Sequence, residues 1–498
     1  MNIKTIAPLL LTTLVLNTYA EDSEELLIIE DEETLIMETD HHDSETIVLE
    51  ESGEVGSEDD ILLIDDGADE REIVETAQDV DLPPSTIAQH TEDRAEKPDG
   101  ELVFKADNLW AEYGAFSNSN SAADHQGYAH GQATLSWTDG SQWEVQASAR
   151  VDGYTESGKE DWHDVTIDYD ETFIRYKSES SILTVGAQKI LWGRIDEFPP
   201  TDRLSTQDLR RFVIDDLKDR RLASAAIRYE HFFGNNKIDL MILPAFREAE
   251  LPDKDSIWYP VNQHTGEILG LETTPALETL IKSTPIKNDE PSSEGGAGLR
   301  FSSIGSGLDY GLSVQYGRQT LPYFSYNATD GLIEARYPRS WIVGGDIGVE
   351  AFGGTLKFEA AWLGDTPVTR INGTFDTVES VNWGAAWEIF PGDGDGRINL
   401  QITGIKLLNA SSVLDRTEIY AFNGSYEIPF ADNQWRFKTR FFAGLDDKDF
   451  YLNPELAYTG WDAQEIYLEA HWFDGDNGTV GGFHEDNTLL TLGWRANF

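Results

Sequence analysis

Basic side chains recur at every second residue in two short stretches of this sequence. Arg436, Lys438 and Arg440 form one row, and Arg175 with Lys177 forms another. Alternate residues of a β-strand point to the same face, so each row predicts a line of positive charge on one side of a sheet. Such rows conduct or bind anions when they line a pore. The alternative is that they only neutralise acidic side chains on facing strands.

A third charged stretch spans about residues 191–221. Ser205 with Asp208 resembles a capping box, and apolar residues then recur on one helical face at Leu209, Phe212, Val213 and Leu217. The spacing predicts a short amphipathic helix in a long loop. Folded inward, this loop would narrow a lumen, whereas an external loop would carry only solvated ion pairs. For the inward case we predict nine pore-lining or constriction residues: Arg194, Arg203, Arg210, Arg211, Arg175, Lys177, Arg436, Lys438 and Arg440.

The elements that would position these residues are strands with one apolar face. The last stretch, residues 489–498, alternates Leu490, Leu492 and Trp494 with Thr491 and Gly493. This period of two is typical of a strand between two different environments. The same alternation predicts 18 strands, which begin near residues 108, 127, 141, 170, 181, 222, 236, 296, 307, 339, 353, 380, 396, 416, 433, 449, 463 and 488.

The connections between these strands are alternately short and long. Tight turns rich in Gly, Asp and Asn occur at every second connection, for example at residues 138–141 and 305–307. Short periplasmic turns and long external loops are the plan of outer-membrane barrels. A soluble propeller would need a repeat of roughly 40–50 residues, which the sequence lacks. We therefore predict an all-β fold, a transmembrane antiparallel β-barrel of about 18 strands, with both ends of the chain on the periplasmic side.

The stretch VGAQKILWGRIDEF, from Val185 to Phe198, with Asp202 after it, resembles a known signature. It is similar to the strand-then-loop sequence of alginate-export-type outer-membrane barrels and of a related uncharacterised barrel family. In that family an Arg often precedes the Gln, whereas here the residue is Ala187. The resemblance covers about twenty residues of motif. It implies an 18-strand channel with an inward loop, and it does not establish alginate as the solute.

The N-terminal region differs from the predicted barrel. Residues 1–20 have the positive start, apolar core and small final residues of a signal peptide. Residues 21–100 hold 30 Asp and Glu against three Lys and Arg, without an aromatic residue, and predict a disordered acidic tail. Residues 101–498 form the predicted barrel. Export without any cysteine suits a Gram-negative envelope, and the net charge of −54 argues against nucleic acid as a partner.

Two functions are compatible with this organisation. The first is an outer-membrane, porin-like channel for hydrophilic solutes, with anions and oligosaccharides as the classes that the basic rows favour. The second is a barrel that anchors the chain while the tail recruits a periplasmic protein, because four short aliphatic runs between its acids are long enough to add strands to a partner's sheet. The tail would then lie in the periplasm.

The remaining expectations concern chemistry and insertion. The sequence has no Gly-x-Ser-x-Gly or His-Glu-x-x-His motif, so we predict no enzymatic activity, cofactor or metal. Outer-membrane lipid is the expected surrounding of the barrel. The terminal aromatic Phe498 resembles the signal that barrel-insertion machinery recognises, and that machinery is therefore a predicted partner.

Overall fold

The structure is a computed structural model that describes residues 100–118, 121–159, 161–212, 214–270, 274–288, 290–293, 295–371, 373–392 and 394–497. The predicted signal peptide, the acidic tail up to residue 99 and Phe498 lie outside the described residues.

Eighteen antiparallel strands form one closed wall, which confirms the predicted fold. Their bounds, numbered in chain order, are β1 Glu101–Phe116, β2 Ala123–Thr138, β3 Trp143–Gly158, β4 Trp162–Tyr169 with Thr172–Lys177, β5 Ser181–Gln188, β6 Ser224–Phe233, β7 Asn236–Leu243, β8 Gly296–Ser303 and β9 Leu308–Arg318. The second half comprises β10 Arg339–Ala351, β11 Gly354–Thr369, β12 Phe375–Ile389, β13 Arg397–Leu407, β14 Glu418–Phe430, β15 Trp435–Gly444, β16 Asp449–Trp461, β17 Gln464–Gly475 and β18 Leu489–Ala496.

The wall closes between its first and last strands. Each strand pairs with the next one in the chain, and β1 pairs with β18 from Leu109 opposite Ala496 to Phe116 opposite Leu489. Because every pairing is antiparallel and sequential, the hairpin order that the alternating connections predicted is correct.

Four strands begin earlier than the sequence predicts: β2 at residue 123 instead of near 127, β12 at residue 375 instead of near 380, and β1 and β4 by a wider margin. β1 begins at residue 101 instead of near 108, and β4 at residue 162 instead of near 170. In β1, Asn108 has a positive φ of 52° and the pairing with β2 shifts between Asp107 and Trp110. In β4, both parts pair with β3 and the break falls at residues 170–171. Such bulges insert a residue, so the apolar alternation changes phase and hides the first part of each strand.

The two faces of the wall have opposite chemistry. Outward apolar side chains remain exposed, with 60% of Leu312 and 59% of Leu492 accessible. Inward polar side chains are buried, among them Asp152, Asp346 and Glu359. An apolar outside with a polar inside is typical of a barrel whose outer face meets hydrocarbon.

The other elements are short. Helices span Leu217–Arg220 (α1), Pro275–Ser283 (α2) and Val480–Phe483 (α3), with a 3-10 turn at Glu485–Asn487. Short strands outside the wall span Thr206–Gln207, Arg221–Leu222, Val261–Asn262, Glu267–Ile268, Ile286–Lys287, Tyr323–Asn327 and Leu332–Arg336. Within the described residues, no helix is long and apolar enough to cross a membrane.

The amphipathic helix predicted from Ser205 onward is wrong. Thr206–Gln207 pairs as a strand with Arg221–Leu222, and among the described residues between them only Leu217–Arg220 is helical. The backbone N–H of Leu209 donates to the carbonyl of Glu250, and Phe212 adopts a positive φ of 53°. Pairing with distant chain therefore replaces the helical hydrogen bonds that the local spacing favoured.

Gly493 gives a test of wall closure. A Cβ at this position of β18 would overlap the ring of Tyr467 on β17. We expect Gly493→Val to displace that ring and to destabilise the barrel by about 1–3 kcal/mol, the usual cost of overpacking. The apparent thermal midpoint, followed by circular dichroism, should fall. Gly153→Ala is the matched control, because its Cβ would have nothing closer than 3.9 Å; equal midpoints for the two variants would contradict this account of the closure.

Candidate functional site

The long connection between β5 and β6, here called the 189–223 segment, is fixed to the wall by one carboxylate. Glu359 of β11 is fully buried. It accepts the backbone N–H groups of Arg194 at 2.6 Å, Ile195 at 3.1 Å and Thr201 at 2.6 Å. The Thr201 hydroxyl donates to it as well, at 2.8 Å. Four donors on one side chain hold residues 194–201 in a single turn against the wall.

Packing and backbone geometry explain why Trp, Gly and Arg occur at residues 192–194 of the motif. Trp192 is buried, donates from its ring nitrogen to Asp239 at 3.1 Å and lies over Gly298 of β8. Gly193 has φ +130°, and a Cβ there would lie 2.8 Å from the Glu359 carboxylate. Only glycine combines that backbone conformation with that close approach.

Arg194 completes this attachment. Its guanidinium pairs with Asp346 of β10 and lies 3.5 Å from Asp309 of β9. The predicted constriction residue therefore binds the segment to two wall strands.

The second half of the segment is attached to wall strands other than those that hold the first half. Arg211 pairs with Glu112 of β1 and, at 2.7 Å, with Asp215. Its guanidinium also lies 4.0 Å from the ring centroid of Tyr128 and 5.0 Å from that of Trp110. Burial alone would lower the pKa of Arg211, but Asp215 and Glu112 outweigh it and raise that pKa, so the guanidinium is cationic at any physiological pH.

Asp208 and Asp216 form two further junctions. Asp208 pairs with Arg210 of the segment and, at 3.2 Å, with Arg150 of β3. Asp216 pairs with Lys438 of β15 and lies 3.1 Å from Arg440. The pKa of Asp216 is held well below its usual range by these cations, despite burial. Arg440 also donates to the backbone carbonyls of Ile214 and Asp215.

The nine predicted lining residues thus fall into three groups. Arg194, Arg203, Arg210 and Arg211 belong to the segment, and Lys438 and Arg440 contact it from the wall. Three have wall partners only: Arg175 and Lys177 pair with Glu144 at 3.3 and 3.0 Å, and Arg436 pairs with Glu455 and Glu465 at 2.9 Å each. The basic rows are therefore compensated by acids, which is the alternative that the sequence left open. The Nε of Arg203 donates to the carbonyl of Pro200 at 3.1 Å.

An apolar cluster adjoins the ionic junctions. Phe212 of the segment stacks on Trp258 with centroids 6.4 Å apart, and Trp258 packs on Phe473 of β17 at 6.1 Å. His484, which follows α3, lies 4.6 Å from Phe212 and 5.2 Å from Trp258. Burial among these rings lowers the pKa of His484 to about 3, so the imidazole is neutral. Two further connections, those before β8 and before β18, thus meet the segment here.

The sequence did not single out Glu359 and Trp258 as site residues. The alternation of side chains along β11 places Glu359 on the inner face, as expected for an acid. The residues around it in the sequence do not show that its partners are backbone groups more than 150 residues away. Trp258 lies in a long connection without any strand pattern. A single tryptophan in a polar loop is the only signal that could have drawn attention to it.

Metal binding has no support from the described part of the chain. No group of three or more His, Asp or Glu side chains there is placed to hold an ion.

Comparisons with known proteins give a fold-level likeness alone. No family model and no curated protein matches this chain. Among solved structures, OccK7 of Pseudomonas aeruginosa is 12% identical with a TM-score of 0.45, over 80% of this chain and 99% of that one. The outer-membrane channel DcaP of Acinetobacter baumannii is 8% identical with a TM-score of 0.41, over 81% and 99%.

The Escherichia coli protein Wzi is described as a carbohydrate-binding β-barrel involved in capsule assembly. It is 13% identical with a TM-score of 0.40, over 79% of this chain and 85% of its own. At these scores nothing about the activity of the present chain follows from the likeness. The family suggested by residues 185–198 stays a prediction.

Glu359→Gln tests the attachment of the segment. The amide has one acceptor oxygen in place of two, so at least one of the donors loses its partner, and hydrogen bonds to charged groups contribute about 1.5–3 kcal/mol each. We expect faster proteolytic cleavage between residues 194 and 203, with an unchanged strand signal in circular dichroism. Glu418→Gln, at an exposed acid of β14, is the control. Cleavage at the wild-type rate in Glu359→Gln would show that this carboxylate does not hold the segment.

The attachment of the segment should also depend on pH through Asp215. Burial, chiefly, raises the pKa of this carboxyl from 3.8 to about 7, with Glu112, Asp219 and Asp208 adding to the rise and Arg211 opposing it. The attached state therefore binds a proton that the detached state releases, and attachment is strongest below the ordinary value and weakens as pH rises to about 7. Hydrogen-exchange protection factors of residues 208–217, corrected for intrinsic rates, should fall over that range. Asp215→Asn should remove the part of this fall that is centred near neutrality; an identical profile in the variant would contradict the assignment.

Proposed function

We propose that this protein is an outer-membrane channel for hydrophilic solutes, in which the 189–223 segment folds into the lumen and narrows it. The observation that carries the proposal is the combination of a closed wall with an exposed apolar outside and a segment held by inward side chains of many strands. A barrel of this strand number leaves an aqueous interior unless further chain occupies it. The segment, with the connections that carry Trp258 and His484, would be that chain.

The contacts of the segment support its proposed position. Its partners include Glu112 on β1, Glu359 on β11 and Arg440 on β15, which are far apart in the order of the wall. A single stretch of chain reaches polar side chains on such separate strands only from the side that they share. That side is the polar inner face, since the outer face is apolar.

The basic rows give only weak support for a particular class of solute. Their charges are matched by acids, so the lumen has a mixed field instead of a positive track, and anionic or oligosaccharide solutes remain the candidates from the sequence. The resemblance of residues 185–198 to alginate-export-type barrels supports a channel and does not extend the proposal to alginate.

Planar-bilayer recordings test this function. The folded full-length protein should give discrete ion currents, and Lys438→Glu combined with Arg440→Glu should shift the reversal potential toward cation selectivity, because four units of charge change next to Asp216. Lys406→Glu combined with Lys448→Glu makes the same change in charge at two exposed residues and should leave the reversal potential unchanged. The proposal would be wrong if protein with an intact strand signal gave no currents.

A further inference from the structure

The first half of β1 has a partner strand on one side only. Residues 101–107 pair with residues 132–138 of β2. On the other side, the pairing of β1 with β18 begins only at Leu109, opposite Ala496. Within the described residues, no strand pairs with residues 101–107 on that side. This side, here called the free edge, is an unpaired stretch of strand at the rim where the barrel begins.

The backbone groups that face the free edge follow from a neighbouring contact. The N–H of Asn108 points to this side, since it donates to the side chain of Asn497 at 2.9 Å. Successive residues of a strand alternate in the direction of their N–H and C=O groups. Those of Leu102, Phe104 and Ala106 therefore face the free edge, and those of residues 103 and 105 face β2. The three residues present a row of donors and acceptors to which a further strand could bind.

Exposed apolar side chains accompany this row. Leu102 is 65% exposed and Phe104 is 68% exposed. Their partners on β2, Trp137 and Leu135, are exposed as well. Proteins usually cover a free edge or blunt it with charges, because an exposed apolar edge pairs readily with other strands. Unpaired backbone groups beside exposed apolar side chains therefore indicate a strand-binding surface.

The acidic tail contains a strand of suitable length and chemistry. Four aliphatic residues, Ile61 to Ile64, lie between acids at residues 58–60 and 65–66. Four residues of strand extend over about 13 Å, which is also the distance along β1 from Leu102 to Ala106. The aliphatic side chains would cover the apolar side of the free edge. The flanking acids would meet Lys105, which is exposed on the same stretch of β1.

The position of this run in the sequence favours it over other strands. Residues 65–100 separate it from β1, and a flexible chain of that length has an average span of about 30 Å. The run therefore reaches the free edge, at an effective concentration on the order of millimolar. The aliphatic runs at residues 26–29, 35–37 and 47–49 are more distant in the sequence. A strand from another molecule would have to offset the advantage of attachment to the same chain.

We propose that residues 61–64 bind to the free edge as an added strand, through backbone hydrogen bonds to Leu102, Phe104 and Ala106. This contact joins two parts of one chain and does not depend on the proposed channel function. It closes residues 65–100 into a loop at the rim of the barrel. That loop carries 12 Asp and Glu against three Lys and Arg, so the contact would hold a strongly acidic stretch at the rim.

Hydrogen–deuterium exchange, resolved to single residues by electron-transfer fragmentation, tests this contact in the full-length protein. In the wild type, the amides of Leu102, Phe104 and Ala106 should exchange slowly. Replacement of all four residues 61–64 by serine should speed their exchange at least about tenfold, because serine does not provide the apolar burial that holds the strand. The amides of Val103 and Lys105 face β2 and should exchange alike in both proteins.

The matched control replaces residues 26–29, an equally aliphatic run, by four serines. Slow exchange of the three amides should survive that change and should not depend on protein concentration. Fast exchange in the wild type, unchanged exchange in the 61–64 variant, or loss of protection in the 26–29 variant would each overturn the proposal. Protection that rises with protein concentration would overturn it too, in favour of a second copy at the free edge.

Peptide binding gives an independent readout. A fluorescent peptide of residues 57–67 should bind to the 61–64 serine variant at least about tenfold more tightly than to the wild type, in which the attached run competes. In that serine variant, Ala106→Pro should weaken peptide binding, because proline removes a donor from the free edge and leaves the pairing with β2 intact. The strand signal in circular dichroism should stay constant throughout. Equal binding to the wild type and the serine variant, or binding unaffected by Ala106→Pro, would contradict the proposed contact.

Discussion

The organisation of the interior depends on a buried carboxylate whose hydrogen-bond donors are three backbone N–H groups and one hydroxyl. In the described chain Glu359 forms no ion pair, and backbone N–H groups of the segment balance its charge. An ion pair tolerates side-chain rearrangement, whereas backbone donors require the chain itself to adopt one path. This requirement explains why glycine stands at residue 193, where any Cβ would meet the carboxylate. The Trp-Gly-Arg sequence is accordingly an attachment motif.

The charges inside the wall are arranged by the same constraint of desolvation. Burying an isolated ion costs several kcal/mol, so Arg211, Asp208 and Asp216 each occur between opposite charges. Removing one residue of such an ion pair leaves the charge of the other buried and unpaired. These ion pairs therefore favour one arrangement of the segment more than they add net stability. The charges along the interior therefore alternate in sign between neighbouring groups.

The sequence predicted the wall well because period-two alternation is a local property that each strand carries by itself. All 18 strands were found, and the two largest errors in their starts occur where bulges near Asn108 and at residues 170–171 reverse the phase. The contacts of the candidate site were harder to predict. Leu209 and Phe212 have helical spacing, yet their backbone pairs with residue 250 and turns through a positive φ. Arg194, Arg211 and Arg440 each have a partner tens to hundreds of residues away, so their types were predictable and these pairings were not.

The segment is held by two layers of different chemistry, and this difference bears on how it could move. The ionic junctions at Asp216 and Arg211 weaken with salt, because salt screens the attraction between their charges. The cluster of Phe212, Trp258 and His484 responds in the opposite sense, since salts that are excluded from protein surfaces strengthen apolar burial. His484 stays neutral there and adds no charge to that layer. Displacing the segment thus requires loss of both layers, and no single ionic condition weakens both. A rise in pH acts on the ionic layer alone, through Asp215, so displacing the segment would also require the aromatic cluster to open.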